Sequence, residues 1–277
     1  MGEDAKPRLK APPGTTDTHM HVFEARFPLA PTATVKPPEA PVSDYLKVCA
    51  RLGIERAVVV QPSGYGTDNA CTLEAIAALP EARGIAVVAE GVSDSELDRL
   101  GAAGIRGLRF HMLPGGVIPW ESLPPLAARS AERGWHVQVQ LDGRELPDRI
   151  SMLGDLLCTL VIDHTGKFLE PVGIDHPAFR VLVGLVEAGR TYVKLSAPYE
   201  TSRVGRPLFG DVGALAKALV KLAPERMLWA TNWPHLGQPP ERVGSEAGLL
   251  DLLLDWAPDE ETRQKILVDN PARLYGF

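Results

Sequence analysis

The chain is poor in cysteine: Cys49, Cys71 and Cys158 are the only three among 277 residues, and no two form a CxxC pair. An odd count at such spacings argues against a disulfide framework and fits reduced thiols. No Lys/Arg-rich run occurs, and 35 acidic residues against 29 basic ones leave a net charge of -6. That balance argues against a nucleic-acid partner. No apolar run is long enough to cross a bilayer, and residues 1–14 are polar and proline-bearing, without the apolar stretch of a secretory signal. Gly2 is followed by Lys6 where a myristoylation signal has Ser or Thr. These absences predict a cytoplasmic protein with no membrane partner. A GxGxxG is also missing after the first strand candidate, which removes the dinucleotide-binding fingerprint.

What remains is an ordinary globular composition, 45% hydrophobic and 23% charged. Short β-rich runs alternate with helical patterns along the chain. Strands are predicted over 15–22, 56–61, 84–90, 107–111, 136–141, 159–163, 191–195 and 227–230, with helices such as 42–52, 72–78, 93–103, 123–133, 179–188 and 212–222. Alternation of this kind implies right-handed crossovers and a parallel sheet. Runs such as Ala57-Val58-Val59-Val60 and Leu160-Val161-Ile162 are apolar throughout, as strands buried on both faces should be. Eight such units predict an α/β fold, a single-domain (β/α)8 barrel spanning 15–277 after an N-terminal tail 1–14. Residues 27–41, rich in Pro and Ala, read as a long loop after strand 1 folded over the barrel mouth. Residues 205–210 read as another loop.

Barrel enzymes place their chemistry at the C-terminal strand ends. Here strand 1 ends in Asp17-Thr18-His19-Met20-His21, and residues at i and i+2 of a strand share a face, so His19 and His21 should converge. Strand 2 runs into a polar loop with Ser63, Tyr65 and Asn69. Strand 4 offers Arg106, Arg109 and His111, and strand 5 offers Gln138, Gln140 and Asp142. Strand 6 ends in Asp163-His164-Thr165-Gly166-Lys167. Strand 7 is followed by Ser196, Tyr199 and Arg203 beyond Lys194, and strand 8 leads to Asn232 and His235. His136 and His176 read as structural, and Arg106 could face either the mouth or the outer helices.

Four segments then carry a resemblance. Asp-Thr-His-Met-His at 17–21, Val-Ile-Asp-His-Thr-Gly-Lys at 161–167, Trp-Ala-Thr-Asn-Trp-Pro-His at 229–235 and Asn-Pro-Ala-Arg-Leu-Tyr at 270–275 resemble the amidohydrolase superfamily. The branch is the group with 2-pyrone-4,6-dicarboxylate and 4-sulfomuconolactone hydrolases. Leu113-Pro114-Gly115-Gly116-Val117 and Tyr199-Glu200-Thr201-Ser202-Arg203 are similar to segments of D-galactarolactone isomerases. The resemblance implies a carboxylated lactone as substrate, gripped by arginines and hydroxyls.

Metal-dependent members use the first-strand histidine pair, a later histidine and a strand-8 Asp. By position the histidines are His19, His21 and His164, but the Asp position holds Asn232. A carboxamide neither takes a proton from water nor supplies a ligand charge. No catalytic metal is therefore expected; a divalent ion such as zinc, if bound, would take His19, His21 and His164. Acyl migration within a lactone needs only a shuttled proton, which one histidine can handle. The expected activity is lactone isomerisation, with lactone hydrolysis or a non-catalytic carboxylate-binding barrel as alternatives. The expected catalytic set is His19, His21, His164, Asn232 and His235, with His164 as first choice for the shuttle. Arg109 and Lys194 are expected to bind carboxylate, with Ser63, Asn69, Tyr199 and Arg203 as further substrate contacts.

Overall fold

The computed structural model describes residues 6–277; residues 1–5, the start of the expected tail, lie outside the described residues. Eight strands, β1 (Thr16–Met20), β2 (Arg56–Val60), β3 (Ala82–Ala86), β4 (Ile105–His111), β5 (His136–Gln140), β6 (Leu160–Ile162), β7 (Thr191–Leu195) and β8 (Met227–Trp229), lie in sequence order. Each is parallel to the next. Between them run α1 (Val42–Leu52), α2 (Ala70–Ala78), α3 (Asp94–Ala102), α4 (Leu123–Glu132), α5 (Leu146–Gly154), α6 (Pro177–Glu187) and α7 (Gly210–Leu222). Short helical segments ending in Asn270–Tyr275 complete the last unit. This is the expected (β/α)8 barrel in one domain.

The helices follow from local chemistry. α1 buries Tyr45, Val48 and Leu52, a helical spacing, and stops where Gly53 turns left-handed at φ 75°. α3 starts at Ser93, whose side chain accepts from Glu96 N, and α6 starts at His176, whose Nδ1 accepts from Ala178 N. His176 is thus structural, as expected. So is His136, buried at the start of β5 with its ring 5.2 Å from that of Tyr275.

Several boundaries shift by one or two residues, and the largest difference is in β3, which ends at Ala86, not residue 90, although Val87 and Val88 are still buried. Asn69 reaches in from the β2 loop, its Oδ1 accepting from Val87 N (3.0 Å) and its Nδ2 donating to Val87 O (2.8 Å). A side chain thereby occupies the positions a neighbouring strand would have used. The proline-rich stretch after β1 has no helix or ladder, only a bridge between Phe23 and Ala40, and Ala30 N donates to Gly64 O (2.8 Å) in the β2 loop.

The seam between β8 and β1 is built differently from the other seven pairs. His21 N donates to Trp233 O and Asn232 N to His19 O, both at 2.9 Å, just past the end of β8. Below them, the buried Asp17 carboxylate accepts from His19 N (3.1 Å), Thr231 N (3.0 Å), the Tyr45 hydroxyl (2.9 Å) and the Thr231 hydroxyl. Burial pushes the Asp17 carboxyl up from its ordinary range, and those donors oppose the shift.

The interior has two layers. Val58, Val60, Ile85, Val161, Tyr192 and Leu228 pack with Tyr275 into one apolar plug. Toward the C-terminal strand ends the inward positions turn polar: Arg109, Gln138, Gln140, Asp163, Lys194 and Ser196 are all buried. That polar layer carries the site.

Candidate active site

His19 and His21 do converge: their Nε2 atoms lie 3.2 Å apart, with the rings edge to face. The partners determine the protons. His21 Nδ1 contacts Val60 O at 2.7 Å, and a carbonyl only accepts, so Nδ1 carries the hydrogen and Nε2 is an acceptor. His19 Nε2 must then donate across the 3.2 Å gap, which leaves His19 Nδ1 as an acceptor. Lys194 Nζ and Gln138 Nε2 each lie 3.4 Å from that atom. Consistently, Asp163 Oδ1, 3.3 Å from His19 Nδ1, has no hydrogen-bond donor among the described residues.

Both histidines are held neutral. Burial drives His19 well below 6.5, with Lys194 adding to the effect, and burial beside Arg109 brings His21 to about 3. His164 behaves alike: burial pushes it well below 6.5, and the Asp163 carboxylate opposes this. Its ring lies 4.9 Å from that of His19 and its Nδ1 is 2.8 Å from Ser196 Oγ. Nε2 of His164 makes no hydrogen bond among the described residues. The turn after β6 presents this ring through left-handed backbones at His164 and Thr165 (φ 53° and 55°).

Strain of this kind is confined to one sector. All seven non-glycine residues with positive φ among the described residues, His164, Thr165, Lys167, Ala197, Phe209, Asn232 and His235, lie in the loops after β6, β7 and β8. Each such backbone costs about 1–3 kcal/mol, and structures retain it where it aims a side chain.

Two expected carboxylate binders part company. Arg109 is buried, with Nη1 donating to Gln61 O and Nη2 to Gln140 Oε1, both at 2.8 Å, while its Nε has no partner. Lys194, in contrast, lies fully buried beneath the histidines. Nζ donates to Gln138 Oε1 (2.6 Å) and Thr18 O (2.7 Å), and its third donor faces His19 Nδ1. No donor is left for a substrate. The expectation that Lys194 grips carboxylate is corrected: alternation put it inside the barrel, one layer too deep. Burial brings its ammonium down to about 8.

Asn69 is likewise not a substrate contact, since Val87 and Thr67 O occupy its amide. Arg203 points outward, 70% exposed and paired with Glu170. Ser63 stays half-exposed beside Gly115 of the β4 loop. Arg106 turns to the outer helices, donating to Gly101 O (2.9 Å). His111 ends β4 with a buried Nδ1 that lacks a partner, and burial beside Arg109 lowers it to about 3.

The other expected residues form a second cluster. The buried Tyr199 hydroxyl lies 2.8 Å from His235 Nδ1 and 2.9 Å from Asn232 Nδ2. Beyond it, His235 Nε2 is 3.5 Å from Glu246 Oε1, and Arg51 holds the other Glu246 oxygen (2.8 Å). Sequence reasoning passed over two participants here. Glu200 accepts from Asn232 Nδ2 (3.1 Å) and pairs with Lys167. Asp163, at an inward position beyond an apolar strand, was detectable by alternation; Glu200, in a short turn, had no periodic signal.

Ligand-capable atoms of His19, Asp163 and His164 lie within 4.8 Å of one another. Arg109 and Lys194 are buried cations at this end, Asp163 and Asp17 are buried carboxylates, and Lys167 and Glu200 offset each other. With the imidazoles neutral the charges balance but are not paired alike: Lys194 has Asp163 Oδ1 at 3.8 Å, whereas Arg109 has no carboxylate within ion-pair distance among the described residues. The arrangement can hold an anion, polarise a carbonyl by N–H donors and pass a proton through a neutral imidazole.

A parallel barrel with its titratable groups gathered at the C-terminal strand ends defines an enzyme of the (β/α)8 class. Residues 16–277 match the profile described as Amidohydrolase, and the chain belongs to that family. It is 36% identical to a 4-sulfomuconolactone hydrolase of Hydrogenophaga intermedia, over 97% of this chain and 91% of that protein. It is 34% identical to a D-galactarolactone isomerase of Agrobacterium fabrum, over 97% and 93% respectively. A crystal structure of an Agrobacterium tumefaciens protein without ligand superposes with a TM-score of 0.94 at 32% identity, over 100% of this chain and 99% of that one.

Proposed function

We propose that this enzyme isomerises a carboxylated sugar-acid lactone by intramolecular acyl migration. The observation that carries the reading is the combination of a partner-free His164 Nε2 with a buried Arg109 whose Nε is open and which has no ion-pair partner among the described residues. An unpaired guanidinium calls for an anionic substrate, because a buried cation without an adjacent counter-charge is costly. Arg109 and His111 would receive the carboxylate. The substrate's own hydroxyl attacks the acyl carbon while the old ring C–O bond breaks. His164 takes the proton from the attacking oxygen and returns it to the departing one, so no net proton is released. Holding nucleophile and acyl group in one molecule adds effective molarity.

The relatives' names include both an isomerase and a hydrolase, and the residue after β8 favours the first. Asn232 stands where metal-dependent members have the Asp and takes no proton, and a substrate hydroxyl held beside the acyl carbon needs less activation than water. The donor set also fits a resident divalent ion poorly. The Lys194 ammonium stands 3.4 Å from His19 Nδ1 and 3.8 Å from Asp163 Oδ1, a cation among the atoms that would ligate the ion. A cytoplasmic location suits such a metabolic substrate.

One experiment tests both points: proton NMR of aldaric-acid lactones with enzyme that has been chelator-treated or zinc-loaded. A new lactone should appear first, at equal rates in the two samples. A ring-opened diacid as the first product would defeat isomerisation, and activity only with stoichiometric zinc would defeat the metal-free reading.

A further inference from the structure

Asn232 is held more tightly than a contact to substrate requires. Its Nδ2 donates to the Tyr199 hydroxyl (2.9 Å) and to Glu200 Oε1 (3.1 Å). A carboxylate only accepts, so the nitrogen must face Glu200 and the amide cannot be turned round. Both N–H groups are thereby engaged, and Oδ1 is the polar atom left for a ligand. Glu200 is fixed in its turn, because its other oxygen is paired with Lys167, and the two side chains are only 13% and 11% exposed. Lys167 is aimed by a left-handed backbone (φ 43°), with its N–H on His164 O (2.9 Å). The β6, β7 and β8 loops therefore meet in one chain, Lys167–Glu200–Asn232.

We propose that the Lys167–Glu200 pair is a positioning device that locks Asn232 as a one-way hydrogen-bond acceptor, so that the site selects lactones bearing a free hydroxyl over flat, hydroxyl-free ones. This deepens the lactone-isomerase reading and, for its substrate class, rests on it. The polarity matters for the chemistry. An Oδ1 that accepts from a substrate hydroxyl neighbouring the attacking one holds the substrate in register and leaves the attacking O–H to His164. A flipped amide would present N–H groups there and lose that hydrogen bond. Asn232 itself takes no proton. A site built to accept from a hydroxyl also discriminates against the analogue that lacks it, because its buried acceptor is then left unpaired.

The test uses Glu200→Gln, which keeps the shape but can offer an amide donor, and Lys167→Met as a second variant should the first fold poorly. Nitrogen-15 NMR follows the Asn232 side-chain amide without any substrate. Its hydrogens should exchange with water at least about tenfold faster in either variant than in the wild type, as a buried bond to a charged group is lost. With an aldaric-acid lactone, kcat should fall about 10–100-fold and KM rise about tenfold, since the hydrogen bond both holds the substrate and aligns its attacking hydroxyl. Binding of a hydroxylated lactone over its deoxy counterpart, at least about tenfold in the wild type, should shrink toward parity in the variants. Equal amide exchange in wild type and variants would overturn the lock, whatever the catalysis. If the amide and binding results hold while the wild type converts no lactone, the lock and its selectivity stand and the isomerase reading alone fails.

Discussion

Two arginines on one strand show how differently the ends of this barrel use charge. Arg106, at the start of β4, donates to Gly101 O at the end of α3. Arg190, just before β7, does the same for Leu156 O (3.0 Å) after α5, and Arg83 for Gly276 O (2.6 Å). Orphaned carbonyls at helix ends take up their donors. Arg109 lies three residues along β4 from Arg106, buried, and its Nε is without a partner. The lower end is closed by the apolar Tyr275 plug and leaves Arg83 Nε, His136 Nε2 and the Tyr275 hydroxyl without partners around it; at the upper end the open atoms, Arg109 Nε, His111 Nδ1 and Asp163 Oδ1, belong to the strand ends beside the histidines. Stability is concentrated at the first end and chemistry at the second, which the same eight strands can support because inward positions two residues apart belong to different layers.

Substitution should separate the two ends. The largest effect is expected from His164→Ala, which should lower turnover about 10²–10⁴-fold, the usual contribution of a positioned proton carrier. Its melting temperature should stay close to the parent's; turnover at parental rate would remove His164 from the mechanism. At the other end, Tyr275→Ala should destabilise the fold by about 3–5 kcal/mol, as for other large buried rings, measured by urea unfolding. The kcat of molecules that remain folded should hardly change, and a kcat loss matching that of His164→Ala would erase the distinction between the ends.

The smallest effect is in the pH profile. An ordinary histidine at 6.5 would cost about eightfold in rate between pH 7 and 5.5. Burial keeps His19, His21 and His164 neutral well below 6.5, so kcat/KM should change less than about twofold over that range. On the alkaline side Lys194, brought to about 8, loses its proton and its hold on His19, and activity should decline there. The lysine's contribution to stability moves the other way. Its folded-state value lies below that of the unfolded chain, so the unfolded state binds more protons between the two values and stability from this group rises with pH. A rate and a melting curve that fell together above pH 8 would contradict this assignment.

Much of the upper layer was legible because strand ends and period-two alternation are local signals. They placed His19 beside His21 and named Arg109 and Ser196 among the strand-end groups that the structure buries at the mouth. Alternation says which face a residue takes but not how deep it sits, which is why Lys194 looked like a substrate contact and is a buried prop. Asn69 misled for another reason: its amide imitates a strand partner, a long-range event with no trace in its neighbours. Glu200 was invisible since its role depends on three loops meeting. The left-handed backbones at His164, Asn232 and His235 fall on residue types enriched in that region, but the enrichment is too small to single out these positions from sequence.

The seam between β8 and β1 adds a consequence. Its backbone bonds run through His19, His21 and Asn232 themselves, so the last gap in the wall is closed by residues of the candidate site. A molecule that has formed its other seven strand pairs but not this one has nearly all its secondary structure and none of its site. The barrel cannot breathe at that joint and remain competent, and activity becomes a sensor of closure more sensitive than helix content. The same coupling restricts how the site can diverge: a change that improves the catalytic pair must also still complete the cylinder.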